Sequence, residues 1–257
     1  MSESLPIGLL LVLIPLVFLV AGAYASVGMG GGTGYLAVMT LLGLSAAAMT
    51  PTALLLNLVV TGVALLRFGL AGHLSWRLFL PFLLPAMPAA FVGGLVIADR
   101  RIFLAILAVT LTVAALTMFF YTPKAREQGQ LPGRARLYLV AIPAGAAIGF
   151  LSGFLGIGGG VFLGPLIFFL GWASPRETAA MNSALILVLS AIALAAHGIK
   201  GGVELMVMLP LAGAALAGGL AGATFSEKKL SSRALQRVFA VIILLAALKA
   251  GIDTLLK

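Results

Sequence analysis

The chain has no cysteine, only seven acidic residues and two histidines, and charged side chains make up just 9% of its 257 residues. Without thiols there can be no disulfide, no thiolate metal site and no cysteine relay. The lack of an H-E-x-x-H run excludes the intramembrane metalloprotease pattern, and no metal or organic cofactor is called for. An intramembrane serine protease fails as well. Ser152-Gly153 would need glycine at position 150, where Phe150 stands. A non-enzyme is therefore expected.

What the chain has in abundance is apolar surface. Hydrophobic residues make up 62% of it and its mean hydropathy is +1.20, more than a soluble domain of this length could hide from water. The apolar residues fall in uncharged runs of about 20, the length a helix needs to span the hydrocarbon of a bilayer. A net charge of +9 would ordinarily suggest nucleic acid. Here the 16 Lys and Arg sit in short loops between apolar runs, where they orient a membrane protein, so no nucleic-acid partner is expected.

Apolar segments are read at 5–23, 34–44, 50–66, 78–97, 102–121, 137–155, 161–171, 178–197, 205–225 and 235–255. The second and seventh are short. The first is preceded by an acidic MSES and contains Ala23-Tyr24-Ala25, a cleavage-like triplet, but it reappears later in the chain and is read as part of the fold. The polar stretch 122–136 carries Pro, Gly and four basic residues. It reads as a basic cytoplasmic linker between a first membrane repeat, 1–121, and a second, 137–257.

The repeat is carried by landmarks at a nearly constant offset. Pro15 matches Pro143, GMGGG from Gly28 matches GIGGG from Gly156, and Gly43 matches Gly171, all at an offset of 128. Gly72 and Gly201, and Leu80-Pro81 and Leu209-Pro210, match at 129. The expected fold is an all-α integral membrane protein of two homologous halves. Each half has about four long transmembrane helices plus one short broken or re-entrant helix after a GxGGG element. A segment of 11 residues makes about 16 Å of helix, too little to cross unaided. If it nonetheless counts as a crossing, the halves are inverted, and the loop charges divide as 11 Lys and Arg on one side against 5 on the other. If it dips and returns, the bias nearly vanishes. The basic-loop rule favours inverted repeats with both termini outside.

Gly28, Gly30, Gly31, Gly32 and Gly156, Gly158, Gly159, Gly160 each stand between a long apolar run and a short one. That much glycine is costly in a continuous helix. It suits a broken one, in which bare amides and the positive end of the following helix hold an anion. The alternative is close helix packing, which Gly145, Gly149 and Gly153 at four-residue spacing suit. Arg176, in Ser174-Pro175-Arg176-Glu177, is either part of a surface turn or, if the short helix ends inside the membrane, a guanidinium facing a cavity. Thr50, Thr52, Asn57, Asn182 and Ser183 can serve a substrate or join neighbouring helices. His197, which matches Phe68, reads as interfacial. Lys249 and Asp253 are expected to pair across one helical turn. No Asp or Glu falls mid-span, so coupling needs something other than an intramembrane carboxylate, such as a titrating substrate.

Paired GxGGG elements, with GIGGGVFLGP ending at Pro165 in the second copy, resemble the sulfite exporter TauE/SafE family, also called toluene-sulfonate uptake permeases. The resemblance covers nearly the whole chain. It implies transport, usually export, of sulfite, sulfonates such as sulfoacetate, or related anions through an inner (plasma) membrane by a multi-pass protein. The first copy departs from the pattern, with Ala37 where proline is expected. The residues themselves argue only for a small anionic substrate. A passive anion channel and a structural membrane protein remain alternative readings, and a homodimer is compatible with either.

Overall fold

The computed structural model describes residues 7–26, 29–68, 72–120, 132–199, 205–225 and 232–255. Among them run ten helices and no strand: α1 (Ile7–Ala25), α2 (Gly32–Leu41), α3 (Ala46–Phe68), α4 (Trp76–Leu95), α5 (Arg100–Phe120), α6 (Arg134–Leu155), α7 (Gly160–Leu170), α8 (Pro175–Ile199), α9 (Leu205–Phe225) and α10 (Ser232–Leu255). Every apolar run became a helix, so the all-helical membrane architecture holds. Six of the helices (α1, α3, α4, α5, α6 and α8) are long and apolar enough to cross a bilayer. Most of the expected linker lies outside the described residues. Its last three residues belong instead to the first turn of α6, which starts behind Pro132 and Gly133.

The short helices α2 and α7 stop for the same local reason. Gly43 and Gly171 take positive φ angles of 78° and 65°. Beyond each, an amide reaches back to the carbonyl five residues earlier, Leu44 to Met39 at 3.0 Å and Trp172 to Ile167 at 3.1 Å. This closes the orphan carbonyls of the last turn, and only glycine adopts the required left-handed angle without steric cost.

Packing partners repeat when each helix is exchanged for the one five places along the chain. Helix α1 lies on α9 as α6 lies on α4, and α3 lies on α9 as α8 lies on α4; α3 meets α8, and α5 meets α10. The closest approaches are glycine-mediated, as expected for Gly145, Gly149 and Gly153. These three set their Cα atoms against the backbone carbonyls of Phe82, Ala86 and Ala90, one per turn of α4. On the other side, Gly218 and Gly222 of α9 meet the carbonyls of Phe18 and Gly22 on α1. Inside lipid there is little hydrophobic drive to pair helices, so this backbone proximity gives the dispersion contact that holds the bundle. In the second half α8 begins at a capping box. Ser174 Oγ accepts from the Glu177 amide at 3.4 Å, and Glu177 Oε2 accepts from the Ser174 amide at 2.8 Å.

Candidate functional site

Both glycine elements interrupt helices. Helix α6 ends where Gly156 turns left-handed at φ 84°, Gly158 and Gly159 follow at 77° and 81°, and α7 starts at Gly160. In the first half Gly31, at φ 89°, occupies the N-cap of α2 and supplies no side-chain cap. Gly28 lies outside the described residues. The opening amides of α2 and α7 have no carbonyl within their own helix to bond, so each break presents donors and the positive end of a helix dipole. Residues 30–40 and 156–161 are all buried, and Phe162 beyond them is half-buried.

The first break is pinned from both sides. Tyr24, near the end of α1, and Thr33, in the first turn of α2, bring their hydroxyls within 3.0 Å. The Met29 amide donates to the Tyr24 carbonyl at 2.9 Å.

One side chain joins the two breaks. Asn57, fully buried on α3, donates through Nδ2 to the carbonyl of Gly156 at 3.2 Å. Its carboxamide also lies against the other glycines. A β-carbon built on Gly30 would stand 2.9 Å from Asn57 Oδ1, and one on Gly32 or Gly158 would stand 2.8 or 2.9 Å from Nδ2. The β-carbon of Gly32 would also meet the carbonyl oxygen of Ile157 at 2.6 Å. The two elements, more than a hundred residues apart in sequence, therefore touch each other and share Asn57.

Ile186 of α8 occupies the corresponding place in the other half, 129 residues beyond Asn57. Its Cγ2 lies 2.6 Å from a built β-carbon on Gly158 and 2.9 Å from one on Gly30. Its Cδ1 crowds Gly160. The junction is thus lined by an amide from one half and an alkyl side chain from the other.

The remaining polar candidates divide. Asn182, nearly fully buried, stands beside the start of α7, with Nδ2 2.7 Å from a built β-carbon on Gly164. Thr50 packs its backbone carbonyl 2.8 Å from the corresponding point on Gly156. Thr52 and Ser183 spend their hydroxyl protons on carbonyls one turn back, Ala48 at 2.7 Å and Ala179 at 2.9 Å, which serves their own helices. Arg176 is exposed on the first turn of α8. It lies six residues, about 9 Å of helix rise, before Asn182.

Two expectations outside the junction are also resolved. His197 Nε2 donates to the Gly153 carbonyl at 3.1 Å, tying the end of α8 to α6. Lys249 caps another helix: its Nζ donates to the carbonyls of Thr40 at 2.6 Å and Leu41 at 3.3 Å. The last carbonyls of α2 carry the negative end of its dipole and accept from the ammonium, so its bonds go to α2 and not to Asp253 one turn along.

Sequence reading missed Ile186, Thr61 and Ser190. Thr61 donates to the Asn57 carbonyl at 2.6 Å, and Ser190 is fully buried. The offset of 129 pairs Thr61 with Ser190 and Asn57 with Ile186, so applying the repeat to every polar residue would have found them.

The family model described as sulfite exporter TauE/SafE matches residues 13–250. A protein of Sinorhizobium fredii (strain NBRC 101917 / NGR234), "Probable membrane transporter protein y4hK", is 37% identical over 234 residues, covering 90% of this chain and 94% of the relative. No solved structure matches.

Proposed function

Since the chain belongs to the sulfite exporter TauE/SafE family and is a multi-pass membrane transporter, we propose that its cargo is a small sulfur-containing oxyanion, sulfite or a sulfonate. In this reading the anion is held by backbone amides where α2 and α7 begin. The observation that carries it is the meeting of the two breaks at Asn57, which turns two helix starts toward one place deep in the bundle. A compact oxyanion matches amide donors and two positive dipole ends, and broken helices aimed at a midplane cargo are a recurring transporter device. Gly30, Gly31, Gly32, Gly156, Gly158, Gly159 and Gly160 supply the bare backbone, while Asn57 and Asn182 supply polar side chains.

The exchange of packing partners between α1–α5 and α6–α10 supports two like halves, 1–121 and 137–257, and the division of loop charges supports their opposite orientation across an inner membrane. Close packing at the junction favours a carrier that must rearrange over an open channel. A β-carbon built on Gly30, Gly32 or Gly158 would stand less than 3.0 Å from a neighbouring atom, so the two breaks must part for an anion to enter between them.

Purified protein in proteoliposomes, presented with sulfite, sulfoacetate, ethanesulfonate, acetate and chloride, tests the proposal. Saturable flux confined to the sulfur oxyanions is expected. Flux linear in concentration would make it a channel, and acetate or chloride moving as readily as sulfite would remove the sulfur specificity.

A further inference from the structure

Amide donors suit any oxyanion, but the junction also holds acceptors. The Gly156 carbonyl can only accept, so the bond from Asn57 fixes which end of the carboxamide is the amino group. Asn57 Oδ1 is therefore an oxygen with lone pairs only, and it lies 2.9 Å from where a Gly30 β-carbon would stand. It is fully buried and has no hydrogen-bond partner among the described residues. Asn182 Oδ1, beside the start of α7, is in the same condition. Buried acceptors without partners are uncommon because desolvation is not repaid.

A fully ionised oxyanion also offers only lone pairs, and one held at the Gly30 break would set them against Asn57 Oδ1. An oxyanion that keeps one hydrogen offers both faces: charged oxygens for the amides and a donor for Oδ1. Building on the anion-carrier reading above, we propose that the preferred cargo is a singly charged oxyanion carrying a donor hydrogen, ahead of a sulfonate that lacks one, with Asn57 as the residue that reads that hydrogen. For sulfite this is the hydrogen sulfite form, and the proton then crosses with its anion. No Asp or Glu lies in α1, α2, α3, α6, α7 or α9, so a proton riding on the cargo needs no carboxylate relay.

The ionisable groups on the elements around Asn57 are few. Tyr24 is on α1 and Tyr35 on α2; Arg67 is on α3 itself. Helix α6 brings Arg134, Arg136 and Tyr138, and α8 brings Arg176, Glu177 and His197, while α7 and α9 bring none. Only His197 ordinarily titrates near neutrality. It is eleven residues, about 16 Å of helix, beyond Ile186.

The test compares sulfite with ethanesulfonate, an anion with the charge of hydrogen sulfite but without an ionisable hydrogen, in proteoliposomes between about pH 7 and 9. At fixed, subsaturating total sulfite, kcat/KM should fall by about tenfold per pH unit once sulfite loses its second proton, following the protonated fraction. Ethanesulfonate flux should stay level with pH, and lie about tenfold or more below hydrogen sulfite at equal concentration. Asn57→Leu should bring that ratio to about one, whereas His197→Phe should leave the sulfite slope intact.

Sulfite flux indifferent to pH, or ethanesulfonate moving as fast as hydrogen sulfite in the wild-type protein, would overturn the proposal without needing any variant. So would a sodium requirement abolished by Asn57→Leu, because Oδ1 would then serve a cation. Absence of flux for every anion is a different result, and it defeats the carrier reading itself.

Discussion

Replacing Gly158 by alanine probes the junction with a single methyl group. Gly158 holds φ 77°, and the new Cβ would stand 2.6 Å from Ile186 Cγ2 and 2.9 Å from Asn57 Nδ2. The left-handed backbone costs an L-residue about 1–2 kcal/mol. Overpacking against two buried side chains adds about 1–3 kcal/mol. Together Gly158→Ala should destabilise the protein by about 2–5 kcal/mol and displace Asn57 from the break, which stops flux. Gly62→Ala is the control, because a methyl there meets nothing within 4 Å and should stabilise α3 by about 0.5–1 kcal/mol.

The two contributions can be separated. Ile186→Ala removes Cγ2, so in the double variant the overlap with Ile186 disappears while the backbone strain stays. A coupling of about 1–3 kcal/mol between the two changes is expected. Thermal unfolding in detergent measures stability, and counterflow in proteoliposomes measures transport. Gly158→Ala with wild-type Tm and flux, or strict additivity with Ile186→Ala, would refute the geometry on which the site rests.

Four further outcomes rest on other parts of the fold. Lys249→Met removes two hydrogen bonds to the end of α2; being half-exposed, they should be worth about 1 kcal/mol, read as a lower Tm that Lys249→Arg restores. Gly149→Val drives a branched side chain into the Ala86 carbonyl and should prevent α4 and α6 from pairing, seen as loss of folded, monodisperse protein on size exclusion. Arg176→Gln should leave apparent affinity unchanged because the side chain is exposed, whereas Glu177→Ala opens the capping box and should lower stability by about 0.5–2 kcal/mol.

Much of this protein could be read one residue at a time. Apolar run length located all ten helices to within about four residues at each end, because spanning length and helix period are local properties. The glycine breaks were equally legible, since positive φ selects glycine by sterics alone. Gly43 and Gly171, legible only as repeat landmarks, are the points where the two short helices stop. Side-chain partnerships were not legible. Nothing near Asn57 in sequence points to Gly156, 99 residues away. Lys249 had a plausible partner in Asp253 one turn along, yet its bonds go to α2, 208 and 209 positions distant. Which polar side chain turns inward depends on how each helix is rotated and docked against the others, a property of the assembled bundle. Sequence alone therefore determined where the membrane helices run and where they break; only the tertiary structure decided that both breaks meet at one asparagine, because bringing them together takes the packing of α3 against α8.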